Sequence, residues 1–410
     1  MVIDTLTGPS LLILPALLAF LVIAGIIEHR RHRQALARIP IRIHVNGTRG
    51  KSSVTRLIAA GLRAGGIRTI AKTTGSAARL IWENGRETPV VRHGPPSVRE
   101  QIKVIIRAAT RDVQALVLEC MAVQPEYQRF TEHLVVKATH GVITNAREDH
   151  LDVMGPTVED VAWALSNTMP KRAKAFTAEH KMIHPFQQTA AARETTLTVT
   201  QPAEADVEAA KGFSYLEHPE NIALALAVCQ SLGIDRETAL HGMWEARPDI
   251  GALQAWEIAF FEKRLFFVNA LAANDPESTL LACERARHSV PSTDKTIVLF
   301  NNRGDRLSRA QQFGKFIATR WPSDHCVLIG QLTKAVEDQA IREGLDAERI
   351  TNLGDASPAE VFEKVLALTP STALVVAVGN IVGLGEEVAS YFQNRGKALG
   401  TGVSGSRSCS

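Results

Sequence analysis

The sequence lacks paired cysteines and a large net charge, and both shortages exclude broad classes of protein. Its five cysteines are scattered and none forms a Cys-x-x-Cys pair, so neither a zinc site nor a disulfide framework is predicted. A reducing compartment is the natural setting for such a chain. The formal net charge is only +3 over 410 residues, which argues against a broad nucleic-acid-binding surface. With 45% hydrophobic and 22% charged residues, the chain is expected to form two ordinary domains.

Charge is also missing from Leu6 to Ile27, where the side chains are almost all aliphatic. A bilayer-spanning helix needs about 20 apolar residues, so this segment predicts a transmembrane helix rather than a buried core helix. A cleavable signal peptide would carry basic residues before the apolar stretch, whereas here Asp4 precedes it and the basic run His29–Arg33 follows it. By the positive-inside rule, residues 28–410 are expected in the cytoplasm, on a single-pass anchor in the cell membrane.

Strand-like and helix-like segments alternate along the rest of the chain. The run Ile41–Val45 predicts a strand, and Ser52 to Ala64 predicts the helix that follows it. This alternation predicts an α/β protein with parallel, helix-covered sheets. The segment from Gly75 to Gly94 is interpreted as a hairpin or a lid, and Arg247–Gly251 predicts a domain boundary. The predicted organisation is an anchor with its basic flank at 1–40, one α/β domain at 41–248, a second at 249–395 and a disordered tail at 396–410.

The most informative motif lies between a predicted strand and a predicted helix. It comprises Asn46, Gly47, Thr48, Arg49, Gly50, Lys51, Ser52 and Ser53. A glycine-containing turn at a helix amino terminus presents backbone N–H groups to phosphate oxygens. In such a loop, Lys51 would reach the β and γ phosphates of a nucleotide, and the Ser52 hydroxyl would bind magnesium. The strict pattern GxxxxGK[ST] is not met, because Val45 stands where its first glycine belongs. The strand and helix on either side nevertheless indicate a nucleotide-phosphate site.

The segment Gly47–Ser53, GTRGKSS, resembles the GTxGK[ST] loop of the Mur ligase superfamily. That family includes the muramyl ligases and folylpolyglutamate synthase, and the resemblance implies ATP-dependent amide ligation. It also implies magnesium ligands, since Glu119 resembles the family's strand-end glutamate and His150 lies in a stretch similar to its N-x-x-x-D-H motif. Together with Ser52 and the ATP phosphates, these side chains would form the sparse shell that magnesium accepts. Asn221, in a segment similar to the family's H-x-x-N-x-x-A helix start, would face adenine.

The resemblance implies that Lys51, Glu119 and His150 are the catalytic residues, in an ATP-binding domain at 41–248. From the residues alone, other interpretations stay open: a capping glutamate, a structural histidine and, for Asn221, a helix cap. The second domain, at 249–395, would be the smaller Rossmann-like ligase domain. Two of its segments are similar to segments that, in the family, form the amine-substrate side of the site. They supply the expected substrate-binding residues Asn274, Asp275, Arg303, Asp305 and Arg306.

Two positions depart from the family's pattern. The family often carries a carbamylated lysine downstream of the motif histidine, but Leu165 occupies the expected position, with Lys171 and Lys174 beyond it. The family's aspartate in the carboxy-terminal domain would fall at Leu271, and Asn269 is the nearest polar residue. The sequence leaves open whether a carbamylated lysine is used, and the nucleotide contact of that aspartate is expected to differ here.

Residues 1–45 precede the loop, so the UDP-sugar-binding domain with which muramyl ligases begin is not expected here. An apolar start that runs directly into the ATPase domain, with the segments NNRGDRLSR and VGNIVGLG, resembles the ligase subunits of poly-γ-glutamate synthases. The resemblance implies an enzyme that polymerises glutamate through γ-amide bonds, with ATP and Mg²⁺ as cofactors. The implied partners are glutamate, the growing polymer, the bilayer and other membrane subunits of a synthase and export complex. No nucleic-acid partner is expected, and homo-oligomerisation stays open.

The expected mechanism begins with attack of a terminal carboxylate on the γ-phosphorus of ATP. The resulting acyl phosphate then reacts with the glutamate amine and becomes an amide. Two alternatives stay open: a folylpolyglutamate synthase-like ligase, and a membrane-tethered P-loop ATPase of a transport system. Whether ATP hydrolysis depends on glutamate distinguishes ligation from transport.

Overall fold

The computed structural model describes residues 10–74, 78–92, 97–213, 215, 217–248, 253–271, 276–304, 307–320, 323–381 and 383–399. The chain divides into two compact units, Met1–Thr200 with Leu224–Met243, and Gln201–Ala223 with Trp244–Ser410. The chain passes from the first unit to the second for the last time at Trp244, shortly before the domain boundary predicted between residues 248 and 249. The separate assignment of Gln201–Ala223 is not part of the predicted organisation.

Helices and strands alternate through both units. The helices are α1 (Ser10–Arg38), α2 (Lys51–Ala64), α3 (Arg99–Ala109), α4 (Pro125–Phe130), α5 (Leu151–Met154), α6 (Val158–Ser166), α7 (Ile183–Ala192), α8 (Glu204–Ala210), α9 (Pro219–Ser231), α10 (Arg236–Trp244), α11 (Pro276–Ser289), α12 (Leu307–Thr319), α13 (Thr333–Arg342), α14 (Pro358–Leu368) and α15 (Leu384–Gln393). A π-helical segment (Thr131–Val136) follows α4, and a 3-10 helix (Ala347–Arg349) follows α13. The strands are β1 (Ile41–Asn46), β2 (Thr69–Lys72), β3 (Arg79–Ile81), β4 (Glu87–Pro89), β5 (Ala115–Glu119), β6 (His140–Ile143), β7 (Lys174–Thr177), β8 (Thr196–Val199), β9 (Gln254–Phe260), β10 (Lys263–Asn269), β11 (Lys295–Asn302), β12 (His325–Gly330), β13 (Ile350–Gly354), β14 (Thr372–Gly379) and β15 (Lys397–Ala398).

The first sheet is mixed, whereas the sequence predicts parallel, helix-covered sheets. Its described strands have the order β4-β3-β2-β5-β1-β6-β7-β8. The six from β2 to β8 in this order are parallel, and β3 and β4 add an antiparallel hairpin at one edge. The turn of that hairpin, in which Trp82 N donates to Arg86 O at 2.9 Å, is too short for the crossover that parallel pairing requires. The hairpin confirms one of the two interpretations of the segment from Gly75 to Gly94.

The second sheet is also mixed, with the order β13-β12-β11-β14-β10-β9-β15 among the described residues. Strand β9 pairs antiparallel with β10 because only Phe261 and Glu262 connect them. Strand β15 pairs with the other side of β9, and Leu399 N donates to Ala255 O at 2.8 Å. The prediction of a disordered tail from residue 396 is therefore wrong for residues 396–399, since an open strand edge offers main-chain hydrogen bonds that composition does not reveal. Residues 400–410 lie outside the described residues.

The amino-terminal helix α1 is continuous from Ser10 to Arg38. Among the described residues, no helix is both long enough and apolar enough to cross a membrane. The predicted transmembrane helix therefore stays a prediction. The carboxy-terminal part of α1 packs on the first sheet's helices, where Leu36 and Ile39 share an apolar cluster with residues of α3 and of the π-helical segment. His32 donates from Nε2 to Val135 O at 2.8 Å.

A buried ion pair lies beside β1. His44 is fully buried, and its Nδ1 is 2.7 Å from Glu132 Oε2 in the π-helical segment. The other oxygen of Glu132 accepts a hydrogen bond from Ala138 N at 2.8 Å. Burial by itself would lower the pKa of His44, but hydrogen bonds with Cys120 and Glu132 outweigh it and raise the pKa to about 10. The imidazolium form therefore contributes to folding at neutral pH.

We expect this pair to make stability depend on pH in the alkaline range. An unfolded histidine has a pKa of about 6.5, and the folded value is about 10. The contribution of His44 is thus fully present below pH 6.5 and is lost as the pH rises towards 10. Urea unfolding at pH 6, 8 and 9.5 should show a steeper decline for wild type than for the double variant His44→Gln/Glu132→Gln. Glu132→Gln alone, which leaves a buried charge unpaired, should cost about 3–5 kcal/mol. Parallel pH curves for wild type and the double variant would contradict the assignment.

Candidate nucleotide-binding site

The loop between β1 and α2 lies where parallel strands end. Because β1 pairs with β5 on one side and β6 on the other, Val45 lies opposite Glu119, and Asn46 lies opposite Ile143. Strand β2 ends at the same side, since its last residue, Lys72, pairs with Leu118. We call this side the carboxyl edge. Its residues are Asn46–Ser52, Lys72–Thr74, Glu119–Cys120 and Thr144–Asn145. Ligands of parallel α/β sheets commonly bind at such an edge.

The loop passes close to the main chain after β6, and its glycines make this approach feasible. Gly47 has a φ of +131°, and a Cβ there would lie 1.9 Å from Thr144 Oγ1. Gly50, with a φ of +81°, precedes the first residue of α2 in the left-handed conformation that glycine favours. Lys51 Nζ donates to Gly47 O at 2.6 Å and to Thr48 O at 3.1 Å. The ammonium group therefore lies beside the loop whose N–H groups would face phosphate.

Asn145 fixes the shape of this loop from the neighbouring strand end. Its Oδ1 accepts from Thr48 Oγ1 at 2.7 Å and from Arg49 N at 3.1 Å, and its Nδ2 donates to Arg49 O at 3.2 Å. Thr144 Oγ1 donates to the same carbonyl at 2.6 Å. Neither residue is among the predicted site residues, although Asn145 is the asparagine of the stretch similar to the N-x-x-x-D-H motif. That motif and the position of both residues directly after the strand beside the loop were the available signals.

Glu119 and Ser52 lie together, as the sequence predicts. Glu119 is buried, and its Oε2 accepts from Ser52 Oγ at 2.8 Å and from Thr74 N at 2.7 Å. Gln101 Nε2, in the first turn of α3, donates to the main-chain oxygen of Glu119 at 2.9 Å. Neither Thr74 nor Gln101 could be predicted from local patterns, because both contacts depend on strand order.

Two oxygens of this cluster fit a hard divalent cation. Neighbouring oxygen ligands in an octahedral magnesium shell are about 3 Å apart, since each bond is about 2.1 Å long. The 2.8 Å between Ser52 Oγ and Glu119 Oε2 matches that spacing. Within the described ranges, no three His, Cys, Asp or Glu side chains converge as a metal site. Magnesium held with nucleotide phosphates and waters needs few protein ligands, so the chemistry of this pair fits the predicted ion.

His150 directly precedes the short helix α5 and has a left-handed φ of +48°. Its Nε2 is 3.8 Å from Asp149 Oδ1, and the same oxygen is 4.0 Å from Arg49 Nη2. The histidine motif is thereby connected through Arg49 to the loop between β1 and α2, residues 47–50, which we call the phosphate loop. The assignment of His150 as a metal ligand stays a prediction.

Asn46 differs from the rest of the predicted loop. Its side chain is buried and donates to Gln128 Oε1 at 2.9 Å and to Thr168 Oγ1 at 3.2 Å. These bonds hold the end of β1 to α4 and to the segment after α6, so the amide anchors the strand. Ser53, by contrast, is half-buried in the first turn of α2.

Leu165, where the family often has a carbamylated lysine, is fully buried in an apolar cluster with Val161 and Phe186. A charged group there would be desolvated. Lys171 and Lys174 are exposed. No counterpart of the modified lysine therefore stands at Leu165.

The predicted residues of the second unit are partly described. Asn221 Nδ2 donates to Glu217 Oε1 at 2.7 Å, and the same oxygen accepts from His218 N at 2.9 Å, so Glu217 organises the start of α9. Arg303 is half-buried and directly follows β11. Leu271 is buried, and its main-chain N–H donates a hydrogen bond to Asn269 Oδ1 at 3.2 Å. The remaining predicted substrate residues, Asn274, Asp275, Asp305 and Arg306, lie outside the described residues.

We expect Asn145→Ala to raise the KM for ATP by about tenfold to a hundredfold, because three side-chain hydrogen bonds that shape the loop contribute about 1 kcal/mol each. The effect on kcat should be smaller, since Lys51 and Glu119 remain. Steady-state kinetics with varied ATP gives both constants. Asn167→Ala is the matched control, since the Asn167 side chain donates only to the carbonyls of Trp163 and Ala164 in the described contacts at the end of α6. Equal KM values for the two variants would remove the role of Asn145.

Comparison with known proteins places both halves of the chain. Residues 45–243 match the Mur ligase middle domain, and residues 256–395 match the poly-gamma-glutamate synthase CapB C-terminal domain. The capsule biosynthesis protein CapB of Bacillus anthracis is 39% identical over 369 residues, which are 90% of this chain and 79% of that protein. The PGA synthase CapB of Bacillus subtilis (strain 168) is 37% identical over 371 residues, 90% of this chain and 94% of that protein.

Solved structures share the fold at low sequence identity. The Mycobacterium tuberculosis folylpolyglutamate synthase complexed with ADP has a TM-score of 0.63 and 14% identity, and the match covers 90% of this chain and 94% of that one. MurF from Acinetobacter baumannii has a TM-score of 0.61 and 14% identity, with 89% and 79% covered. At such identities the likeness concerns the fold alone.

Proposed function

The chain belongs to the CapB family of poly-γ-glutamate synthases, and on this basis we propose that it is the ATP-dependent ligase that polymerises glutamate through γ-amide bonds. The observation that carries the proposal is the carboxyl edge of the first sheet. There Lys51, Ser52 and Glu119 surround a glycine-containing loop at the start of α2. These are the groups that phosphoryl transfer from ATP requires: N–H donors, a cation and oxygen ligands for magnesium.

The reaction follows from what these side chains can hold. The loop N–H groups and Lys51 would bind the β and γ phosphates and direct the γ-phosphorus towards a carboxylate. Attack by the terminal carboxylate of the polymer forms a C–O–P bond and releases ADP. The amine of an incoming glutamate then attacks that carbonyl, a C–N bond forms, and phosphate leaves. Magnesium, when bound, would offset the charge of the phosphates, and Ser52 and Glu119, with His150 as the predicted third ligand, would hold it.

We also propose that α1 attaches the enzyme to the cell membrane, with residues 28–410 in the cytoplasm beside other membrane subunits. Large apolar side chains are exposed along its amino-terminal half, namely Ile13, Leu17, Leu18, Phe20, Leu21, Val22, Ile23, Ile26 and Ile27. A contiguous apolar surface of this kind needs an apolar environment. The exposed basic residues Arg30, Arg31 and Arg33 follow it, which suits the cytoplasmic side of a membrane.

A folylpolyglutamate synthase-like ligase is the second candidate, because the solved structures with the same fold include such enzymes. Both candidates use a carboxylate, ATP and glutamate. They differ in the acceptor, which is a folate in one case and the polymer itself in the other.

We expect hydroxylamine to intercept an acyl phosphate during turnover. With membranes, ATP, polymer and hydroxylamine, a γ-glutamyl hydroxamate should form in step with ADP, and no AMP should appear. Lys51→Met should lower both products at least a hundredfold, because the loop loses the cation that faces the phosphates. The matched control is Lys171→Met, which removes an exposed lysine and should change neither. AMP as the nucleotide product would refute the mechanism, ATP hydrolysis indifferent to glutamate would favour the transport ATPase, and a strict need for folate would favour the second candidate.

We expect Ser52→Ala, Glu119→Gln and His150→Ala to act through magnesium. Each removes a proposed ligand, so the magnesium concentration that gives half-maximal activity should rise about tenfold, with partial rescue by excess metal. Titration of activity with magnesium at fixed ATP measures this. Glu126→Gln removes an exposed carboxylate of α4 and serves as the control. Variants that keep the wild-type magnesium dependence would remove the corresponding residue from the ligand set.

A further inference from the structure

The carboxy-terminal end of α1 lies at the amino edge of the first sheet, which is the side where its parallel strands begin. The Arg42 guanidinium, at the start of β1, donates to Leu36 O at 3.3 Å and to Ile39 O at 2.6 Å. Arg42 also donates to Lys137 O at 2.9 Å, shortly before β6. The last turns of α1 are therefore held against the strand starts.

The middle of α1 lies at the opposite side, level with the carboxyl edge. The first turn of α3 is at that edge, because Gln101 Nε2 binds the main-chain oxygen of Glu119 at 2.9 Å. Arg99, in the same turn, places Nη2 3.2 Å from both carboxylate oxygens of Glu28. Helices α1 and α3 therefore run side by side in the same direction, from the carboxyl edge to the amino edge.

The apolar half of α1 precedes Glu28 in the same helix. Since α1 descends towards the amino edge after Glu28, the residues before Glu28 extend away from the sheet on the side of the carboxyl edge. From Ser10 to Ile27 this extension is about 27 Å long at 1.5 Å per residue. The apolar half thus points in the direction that the phosphate loop faces.

The surface of the same unit near this edge suits a lipid headgroup layer. Helix α4 is tied to the carboxyl edge through the hydrogen bond between Asn46 and Gln128, and its side chains Tyr127 and Phe130 are 56% and 46% exposed. Exposed aromatic rings of this kind are typical of the membrane interface. The exposed arginines of α1, Arg30, Arg31 and Arg33, provide positive charge for anionic lipid.

We propose that the carboxyl edge of the first sheet, with its phosphate loop, faces an anionic membrane surface. This orientation rests on the membrane attachment proposed above. A helix that continues from the membrane into a packed domain, held by His32, Glu28 and the buried Leu36 and Ile39, fixes the domain's orientation in a way that a flexible tether would not. ATP is then used beside the headgroups, and the growing polymer is retained where membrane subunits can receive it.

The test compares single cysteines at the two edges. Gln124, directly before α4, is exposed near the carboxyl edge, and Thr110, directly after α3, is exposed near the amino edge. The four described native cysteines are buried, so a Cys409→Ser background should allow selective bimane labelling of Gln124→Cys or Thr110→Cys. The full chain is reconstituted in phosphatidylglycerol-containing vesicles that carry nitroxide on a fraction of the headgroups. Neither residue belongs to the site, so both variants should keep glutamate-dependent ATP turnover.

We expect nitroxide to quench bimane at residue 124 at least three times more strongly than at residue 110. Residue 124 is near the carboxyl edge and residue 110 near the amino edge, and the length of α3, about 16 Å, separates the two edges. In detergent without nitroxide lipid, the two labels should have equal lifetimes. Equal quenching, or stronger quenching at residue 110, would overturn the orientation while membrane attachment stands. Failure of the unlabelled chain to sediment with vesicles would overturn the attachment and the orientation together.

Discussion

The candidate site depends on one constraint, that β1 lies between β5 and β6 in a parallel arrangement. This order brings together residues far apart in sequence: the loop that begins at Gly47, the carboxylate of Glu119 and the amide of Asn145. Each neighbour of β1 then supplies a different function. Strand β5 ends in the carboxylate that binds Ser52, and β6 leads to the amide that shapes the loop. A chain with the same motifs in another strand order would not assemble this site.

The first turn of α3 supports that arrangement with buried charge. Glu100 is 2.7 Å from Lys72 Nζ and is also bound by Arg92 at 2.8 Å, while the next residue, Gln101, holds the main chain of Glu119. Burial lowers the pKa of Lys72 although Glu100 opposes it, and hydrogen bonds to Arg92 and Lys72 lower the pKa of Glu100 against the effect of burial. Removal of Glu100 would leave the buried ammonium group of Lys72 without its ion-pair partner near the carboxyl edge, which is far more costly than the loss of an exposed pair. The support of the Glu119 segment is therefore electrostatic as well as steric.

Local signals in the sequence predicted the parts of the fold that form locally. The strand at Ile41, the helix after Gly50 and the hairpin within the segment from Gly75 to Gly94 depend on periodicity and turn residues, and all three are present. The contact between Ser52 and Glu119 followed from a family resemblance rather than from spacing. Thr74 and Gln101 could not be assigned, because an N–H group and a helix turn acquire their roles only when the strands are neighbours. Asn145 lies in the stretch similar to the N-x-x-x-D-H motif, but its hydrogen bonds to the loop depend on the same strand order. The antiparallel strands β9 and β15 were missed for a related reason: pairing at a sheet edge leaves little trace in composition.

Strand β15 also covers part of the edge that β9 would otherwise expose in the second sheet. Without it, β9 would present unpaired main-chain groups beside the exposed rings of Phe260 and Phe261, which are 39% and 94% exposed. An apolar strand with a free edge is a template for pairing between molecules and for aggregation. Strand β15 covers the part of that edge at Trp256 and Glu257, and its own edge is two residues long and carries Lys397. Short length and positive charge both discourage the addition of a further strand, so β15 lowers the tendency of this part of the second sheet to pair with other molecules.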